Sequence, residues 1–437
     1  YGFDFDGTPA PFGMANLNAN LAYDRDFTQV SEELRLSYLS EKAELMAGIY
    51  LEAEDFDQDY LIWCGDLNRD TLLGSCGYVG APGRVGPRPA SDGTAVTLQS
   101  LITQSRKTAA LFTYNTIELA PRIDVVIGGR LTYETIEGRG EGRHYFDDGV
   151  RGLNNRDGLG LAVGSNTISD TKLSGNIGLN YTLANDSLLY ASYSNGYKSG
   201  GFNGEVINNA THFKDEGLFG AETVNALETG MKFSRANMAF NLAGFYQFYD
   251  RPQARIFVPF STESGGSFTS NSLSNLDRAT SYGVEFDVTW TPIEGLDLFG
   301  GATWLNTEIN QTENPNVPQN ADIFDGNPLP FASELSAVFS ARYEWALSQT
   351  LRASLQGSGK YQSAFFLDAE GLADRRQAGY EVIDGDATLH IGDSVDVGIW
   401  GRNLTNSDYA TSGYGFIGYN TFRGAPRSYG ASMTFRY

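Results

Sequence analysis

Strict alternation of apolar and polar residues is the feature that most limits how this 437-residue chain can fold. Residues 282–290 show it best, with an apolar series, Tyr282, Val284, Phe286, Val288 and Trp290, set against Gly283, Glu285, Asp287 and Thr289. A period of two residues is typical of a β-strand with one apolar face, and no amphipathic helix produces it. About fifteen such segments recur, many close to the roughly 10 residues of a membrane-spanning strand. The sequence therefore predicts an all-β protein.

The connections between these segments alternate between short and long. The short ones contain LSEK, LAPRI, LANDS, SRAN, TPIEG, ALSQ and GDS. The long ones are polar and rich in glycine, and cover residues 54–106, 135–171, 195–222, 250–280, 307–333, 362–380 and 406–427. Short periplasmic turns and long extracellular loops are typical of a transmembrane, antiparallel, up-and-down β-barrel, whereas a soluble sandwich gives no reason for this regularity.

The two faces of the predicted strands differ as a membrane barrel requires. Trp290, Trp345 and Phe233 lie on the apolar face just before short turns, where an interfacial aromatic girdle is expected. The opposite face carries many charged residues, among them Glu228, Lys232, Glu285, Asp287 and Arg342. We expect these charges to line a lumen that holds water, a polar plug or both, because they are too many for a packed interior.

Composition excludes several classes of protein. The formal net charge is -22, with 31 basic and 53 acidic residues, which argues against nucleic-acid binding. No run of eighteen apolar residues predicts a helical membrane span, and no leader peptide opens the chain at Tyr1. Cys64 and Cys76 lie in a polar stretch, and in an exported protein this spacing favours a local disulfide over two free thiols.

From about residue 29 to residue 437 the chain resembles the barrel of TonB-dependent receptors. The matching segments are YASYSNGYKSGGFN, ETVNALETGMK, SYGVEFDVTWTPIEGLDLFGGATWLNTE, GNPLPFASELSAVFSARY, VGIWGRNLTNSDY and GAPRSYGASMTFRY, which ends at Tyr437. This resemblance implies a barrel of about 22 strands closed by an N-terminal plug. It also implies energised import of an extracellular ligand through the inner-membrane TonB complex, and makes the five lumen charges partners for the plug.

The chain departs from that family at its N-terminal end. Nothing before Gln29 resembles a plug or a TonB-contacting box, and the first barrel strands are missing. About fifteen strands with a periplasmic C-terminus would also leave the first strand entering from outside, because bacterial barrels have even strand numbers. We therefore expect residues 1–28 to be the remainder of an extracellular loop, residues 29–437 to be the C-terminal part of the barrel, and an upstream segment to supply the rest.

Ligand contacts are expected from aromatic and polar residues of the extracellular loops. The loop after Asn406 is locally basic and aromatic, with Tyr409, Tyr414, Phe416, Tyr419, Phe422, Arg423 and Arg427. A second cluster comprises Tyr197, Lys198, Phe202 and Asn203. For both clusters the alternative is packing of loop against loop, and for the second we favour that alternative, since ordered loops must bury some side chains.

The leading hypothesis is an outer-membrane receptor in contact with membrane lipid that imports a siderophore, a cobalamin or an oligosaccharide. A passive porin is the alternative. We expect no enzyme activity, because the three histidines are scattered and no GxSxG nucleophile motif occurs. The same scatter gives no metal site, and no cofactor is expected.

Overall fold

The structure is a computed structural model of the whole chain. It describes residues 2–4, 18–64, 95–146, 161–183, 187–204, 212–214, 217–261, 267–310, 324–415 and 419–436. Among these residues, no helix has the length and apolar character needed to cross a membrane. Almost every described element is a strand, in keeping with the period-two pattern.

The strands are numbered in chain order. The first thirteen are β1 (Gly2–Asp4), β2 (Asn18–Leu39), β3 (Ala43–Cys64), β4 (Ala95–Ala120), β5 (Ile123–Phe146), β6 (Leu161–Thr182), β7 (Leu188–Lys198), β8 (Gly201–Phe202), β9 (Leu218–Phe219), β10 (Glu222–Arg235), β11 (Met238–Asp250), β12 (Gln253–Ser261) and β13 (Ser267–Asn275). They are followed by β14 (Arg278–Ile293), β15 (Leu296–Asn310), β16 (Leu335–Ala346), β17 (Leu351–Gln362), β18 (Phe365–Phe366), β19 (Arg376–Gln377), β20 (Tyr380–Ile391), β21 (Val395–Arg402), β22 (Ala410–Gly415), β23 (Tyr419–Arg423) and β24 (Ser428–Phe435).

One antiparallel sheet contains sixteen of these strands, in the order β1-β2-β3-β4-β5-β6-β7-β10-β11-β14-β15-β16-β17-β20-β21-β24. Apart from the three-residue β1, these are the fifteen strands that the alternation predicts, and each pairs with its sequence neighbours in the sheet. Tight turns such as Glu294 and Gly295 alternate with the long connections. The predicted up-and-down barrel architecture is therefore confirmed.

Cross-strand register explains why one face is apolar. Phe240 of β11 pairs with Phe233 of β10 and with Val288 of β14, so these side chains share a face. The Phe233 and Phe240 rings stack with their centroids 5.0 Å apart. Near the turn between β16 and β17, Trp345 stacks on Tyr343 at 5.1 Å. These aromatics lie on the outward face near the periplasmic turns, where the sequence places the girdle.

Strands β2 to β6 are much longer than a membrane-spanning strand, at 22 to 26 residues each. This corrects the predicted loops: β3 continues to Cys64, β4 begins at Ala95 and β5 ends only at Phe146. Likewise β2 begins at Asn18, before the boundary expected at residue 29. Cys76 lies outside the described residues, so the disulfide with Cys64 stays a prediction.

The alternation inverts along these extensions without a change of register. Leu51 of β3 is exposed on the outward face, but further along the same strand Tyr60 points inward and is buried, while Asp57 is on the outward face. Ile102 and Ile136 on β4 and β5 are likewise buried on the inside. Within the membrane the apolar side chains face lipid, whereas above it they face inward, toward the folded loops. A pattern with a single apolar face therefore ends where the membrane ends, although the strand continues.

The extracellular connections fold back over the barrel and pack through their own apolar clusters. One cluster joins β4 and β5 to the connection after β7, through Ile102, Ile136, Phe202 and Phe213. A second contains Ile256, Leu276, Ile309, Phe324 and Ala369, from three further connections and β15. The extracellular rim is therefore a packed layer in the described part of the chain.

The described sheet has two edges. β24 pairs with β21 alone, and β2 pairs with β3 and with the short β1 near its extracellular end. No described pair joins β2 to β24. Leu36, near the periplasmic end of β2, and Met433 of β24 are both more than half exposed.

Candidate functional site

The lumen-facing charges predicted from the sequence share one face of the sheet. Lys232 of β10, Asn241 of β11 and Asp287 of β14 form one row of cross-strand partners. Asn241 Nδ2 donates to Asp287 Oδ2 at 2.9 Å. Glu228, four residues before Lys232 on β10, accepts a hydrogen bond from Tyr190 Oη at 2.6 Å. The inside of the barrel thus carries an acidic and amide-rich strip.

Arg342 belongs to a second charged strip further round the lumen. Its guanidinium donates to Glu344 Oε2 at 2.7 Å, and Arg352 donates to Glu344 Oε1 at 2.7 Å. Both arginine side chains are about half exposed, so each ion pair contributes little, about 0–1 kcal/mol. Charges held this weakly can exchange partners with another polar surface in the lumen.

Two connections at the extracellular rim are joined by amide side chains. Asn203, after β8, donates from Nδ2 to the Leu273 carbonyl oxygen of β13, and its Oδ1 accepts from the Leu273 N–H. Asn275 Nδ2 donates to the Arg251 carbonyl oxygen at 2.7 Å, and Gly220 N–H donates to Asn275 Oδ1 at 2.6 Å. Gln253 Nε2 donates to the carbonyl oxygens of Ser199 and Gly220. These bonds fix the connection after β7 against the β12–β13 hairpin.

A cavity of about 480 Å³, which we call the vestibule, opens beside the β12–β13 hairpin, among the connections that follow β11, β15, β17 and β21. Its apolar lining consists of Pro252, Ala254, Leu273, Leu276, Leu329, Pro330, Phe331 and Leu367, and its polar lining of Glu222, Tyr249, Gln253, Arg255 and Asp368. Small-molecule sites of roughly 300–1,000 Å³ are mostly apolar with a few placed polar groups. The vestibule therefore has the size and lining of a ligand site.

Phe331 is held at the vestibule in an unusual backbone conformation. Its φ is +61°, a left-handed value that costs a bulky residue about 1–2 kcal/mol. The Phe331 N–H donates to the Phe366 carbonyl oxygen at 2.8 Å, and its ring lies 5.9 Å from the ring of Phe365. This anchoring keeps the half-exposed ring at the vestibule wall.

One side of the vestibule is braced by an ion cluster in the connection between β18 and β19. Arg375 Nη1 donates to Asp368 Oδ2 at 2.9 Å and also to Glu370. Burial raises the pKa of Glu370 above the usual range for glutamate, although the neighbouring Arg375 acts in the opposite direction. One guanidinium pairs with two carboxylates here, so the negative charge of the second carboxylate is only partly neutralised.

The cluster predicted after β7 has two different environments. Phe202 is only 4% exposed and packs against Phe213 and Ile102. The Asn203 side chain is hydrogen-bonded to the backbone of Leu273. These two side chains pack the rim, in line with the alternative favoured for this cluster, and ligand contact by the cluster stays a prediction. Tyr197 is partly buried, and Lys198 is exposed. Neither lines the vestibule.

The basic aromatic loop is described in part. Tyr409 stacks on Tyr380 at 4.3 Å, with Lys360 Nζ 5.2 Å from the Tyr409 ring. Phe422 and Arg423 of β23 are exposed, and Arg423 lies 3.4 Å from Asp408. Phe416 lies outside the described residues, and so do the side chains of Tyr414 and Tyr419 in the β22–β23 hairpin. Gly413, next to Tyr414, lines the vestibule.

The described lumen contains a Ser-His-Asp chain near the periplasmic turns. His390 Nε2 lies 3.1 Å from Ser354 Oγ, His390 Nδ1 lies 2.7 Å from Asp396 Oδ1, and Arg436 is bonded to Asp396. Ser354 is inside a regular strand paired on both sides, with Glu344 and with Thr388, so its backbone offers no converging N–H groups for an oxyanion. This Ser-His-Asp series is better explained as a set of hydrogen bonds that links the neighbouring strands β17, β20 and β21. Among the described residues, no group of three or more potential ligands could hold a metal ion.

An antiparallel barrel wall with an apolar outer face, a charged inner face and packed extracellular connections defines an outer-membrane β-barrel of the receptor class. The chain belongs to the TonB-dependent receptor family, because the family model described as TonB dependent receptor-like, beta-barrel matches residues 1–404. The predicted family and the cell outer membrane as location are thereby confirmed. Proteins of this family and the structural neighbours are receptors and transporters, not enzymes.

Individual relatives are distant. The pesticin receptor of Yersinia pestis is 24% identical over 253 residues, which are 56% of this chain and 33% of that protein. The ferric yersiniabactin uptake receptor FyuA from Yersinia pestis superposes with a TM-score of 0.72 at 18% identity, over 96% of this chain and 55% of that one. The siderophore receptor PiuA from Acinetobacter baumannii superposes with a TM-score of 0.66 at 14% identity, over 96% of this chain and 57% of that one. The chain thus spans about a third of the curated relatives' length and just over half of the solved receptors.

Proposed function

We propose that this chain is the larger part of the barrel of a receptor that captures a ferric siderophore outside the cell and passes it to the periplasm with energy delivered through TonB. The observation that carries the proposal is the vestibule, an apolar cavity with a few polar groups at the extracellular rim of a charged lumen. The names of the similar receptors, for pesticin, ferric yersiniabactin and a siderophore, support a ferric chelate as the ligand class. The scaffold offers binding and passage, with no reaction catalysed.

The proposal includes further barrel strands and a plug from an upstream segment, with residues 1–28 on the extracellular side, where β2 extends beyond the membrane. Unpaired edges in hydrocarbon leave backbone donors and acceptors without partners, at several kcal/mol each, so β2 and β24 require neighbours. Charges on the inner face, such as the weakly paired Arg342 and the exposed Glu285, suit the polar surface of a plug. A plug that occupies this strip would also be the part that TonB contacts.

The test is uptake of radioactive iron by cells that carry the intact receptor as their one route for a given chelate. We expect uptake from at least one ferric siderophore of a chemically varied panel, and loss of that uptake when TonB is deleted. Uptake that persists without TonB, together with swelling of liposomes that contain the intact receptor, would instead identify a passive channel.

A further inference from the structure

The lipid-facing surface carries a groove that the transport function does not use. The groove is open to the lipid, has a volume of about 860 Å³ and crosses the outward face from Val125 of β5 to Trp304 of β15. Two adjacent rows of cross-strand partners form it: Ile177, Tyr193, Leu227, Tyr246 and Tyr282, and then Leu179, Ala191, Thr229, Gly244, Val284 and Trp304. Almost all of these side chains are apolar, as hydrocarbon contact requires.

Gly244 forms the floor of the groove. A side chain at this position would meet no heavy atom closer than the Gly283 carbonyl oxygen, 4.0 Å away. Large rings stand beside it: Tyr246 stacks on Tyr282 at 6.0 Å, and Tyr282 meets Trp304 edge-on at 5.9 Å. The depression is therefore a shallow, open groove beside a row of aromatic rings.

Polar groups border the groove on its extracellular side. Tyr193 Oη donates to Asn225 Oδ1 at 2.7 Å, and Asn195 Nδ2 donates to the same oxygen at 3.0 Å. Asn225 is ten residues from Arg235, which ends β10 at the periplasmic turn. At about 3.3 Å per residue and a tilt of about 40°, that separation is about 25 Å across the membrane, close to the height of the apolar band. These polar groups therefore lie at the outer interface.

We propose that the groove is a binding site for one hydrocarbon chain of an outer-leaflet membrane lipid, whose polar linkage contacts Tyr193, Asn195 and Asn225. An apolar groove bordered by hydrogen-bonding groups at the membrane interface matches an amphiphile in its chemistry. A second copy of the protein is the competing occupant, and it would be detected as a dimer in the same measurement.

The experiment uses the intact receptor extracted from its own outer membrane into mild detergent, with native mass spectrometry to count the lipids retained by each molecule. We expect one retained lipid in the wild type. Gly244→Leu fills the floor with a side chain that the membrane tolerates, and should lower the retained fraction about tenfold. Gly300→Leu is the matched control, because Gly300 is also outward-facing and open, with Val288 Cγ1 3.7 Å away, but lies outside the groove.

Folding is checked by the gel shift that barrels show on heating. If Gly244→Leu does not assemble, Gly244→Ala replaces it and should give a smaller but measurable loss. Equal retention by the Gly244 and Gly300 variants, or no retained lipid in the wild type, would overturn the proposal. A wild-type dimer that Gly244→Leu dissociates would also overturn it, because a second copy would then occupy the groove.

Discussion

Asn203 holds Leu273 by both ends of its side-chain amide. Its Nδ2 donates to the Leu273 carbonyl oxygen at 2.8 Å, and its Oδ1 accepts from the Leu273 N–H at 3.0 Å, across 70 residues of sequence. The Asn203 side chain therefore acts as one more peptide group alongside β13. Only an amide provides a donor and an acceptor in this arrangement.

We predict that Asn203→Leu loosens the connection after β7 from the β12–β13 hairpin. The Leu273 N–H and carbonyl groups would lose their partners, at about 1–3 kcal/mol for each group left buried. Hydrogen exchange should accelerate in residues 199–204 and 272–276 of the intact receptor. Asn310→Ala is the control, because the Asn310 side chain bonds within its own strand, to Glu308. Unchanged exchange in Asn203→Leu would show that the apolar cluster alone holds the rim.

The orientation of β14 predicts opposite effects of arginine at adjacent positions. Phe286 is exposed on the outward face, and Phe286→Arg should reduce the amount of folded barrel in the outer membrane, since arginine facing lipid costs about 2–4 kcal/mol near the midplane. Glu285→Arg places the same side chain in the lumen and should assemble normally. Heat-modifiability on gels measures both. Equal yields would mean that the two faces are assigned wrongly.

We predict that Arg375→Met opens the connection between β18 and β19. It leaves Asp368 and Glu370 without their shared guanidinium, at about 1–3 kcal/mol. Proteolysis at residues 367–377 on intact cells should then quicken. Glu370→Gln is the matched variant and should leave the cleavage rate near that of the wild type, because it removes the incompletely compensated charge and keeps a polar side chain.

The raised pKa of Glu370 adds a pH dependence to the same segment. A carboxyl whose pKa is higher in the folded state binds its proton more tightly there, so the ordered segment gains stability as pH falls through that raised pKa and loses it as pH rises through it. Proteolysis at residues 367–377 should therefore slow as the medium is acidified. In Glu370→Gln that dependence should be absent, and its persistence would assign the effect to another group.

The sequence predicted the wall of the barrel well because one physical cause acts on all of it. A strand such as β14 has lipid on one side and the polar lumen on the other, so apolar and polar residues alternate along it. The long extensions of β3 to β6 were missed because the environment on each face changes above the membrane. Tyr60 and Ile102 continue the strands with the opposite face apolar.

The vestibule could not be predicted from local patterns. Its walls come from four separate connections and from the ends of β10 and β11, and nothing in the spacing of Glu222, Phe331 and Leu367 brings them together. Aromatic content is the signal that predicts ligand binding by the loops, but the rings of Phe202 and Tyr409 pack against other side chains of the rim. One local signal does exist, since Phe331 follows LP in the segment GNPLPF, but its positive φ is visible only in the structure.

The left-handed conformation of Phe331 allows ligand binding to be separated from stability. Phe331→Gly removes the ring from the vestibule, and glycine occupies a φ of +61° without the penalty of about 1–2 kcal/mol, so the thermal stability of the intact receptor should be maintained or increased. Affinity for the transported ferric chelate should nevertheless fall about tenfold, as expected when one aromatic wall is lost. Arg251→Gly is the matched control, because Arg251 also has a positive φ, of 55°, at the rim but does not line the vestibule. Calorimetric titration of both variants decides the matter: wild-type affinity in Phe331→Gly would place the ligand elsewhere, and equal losses in both would point to general loosening of the rim.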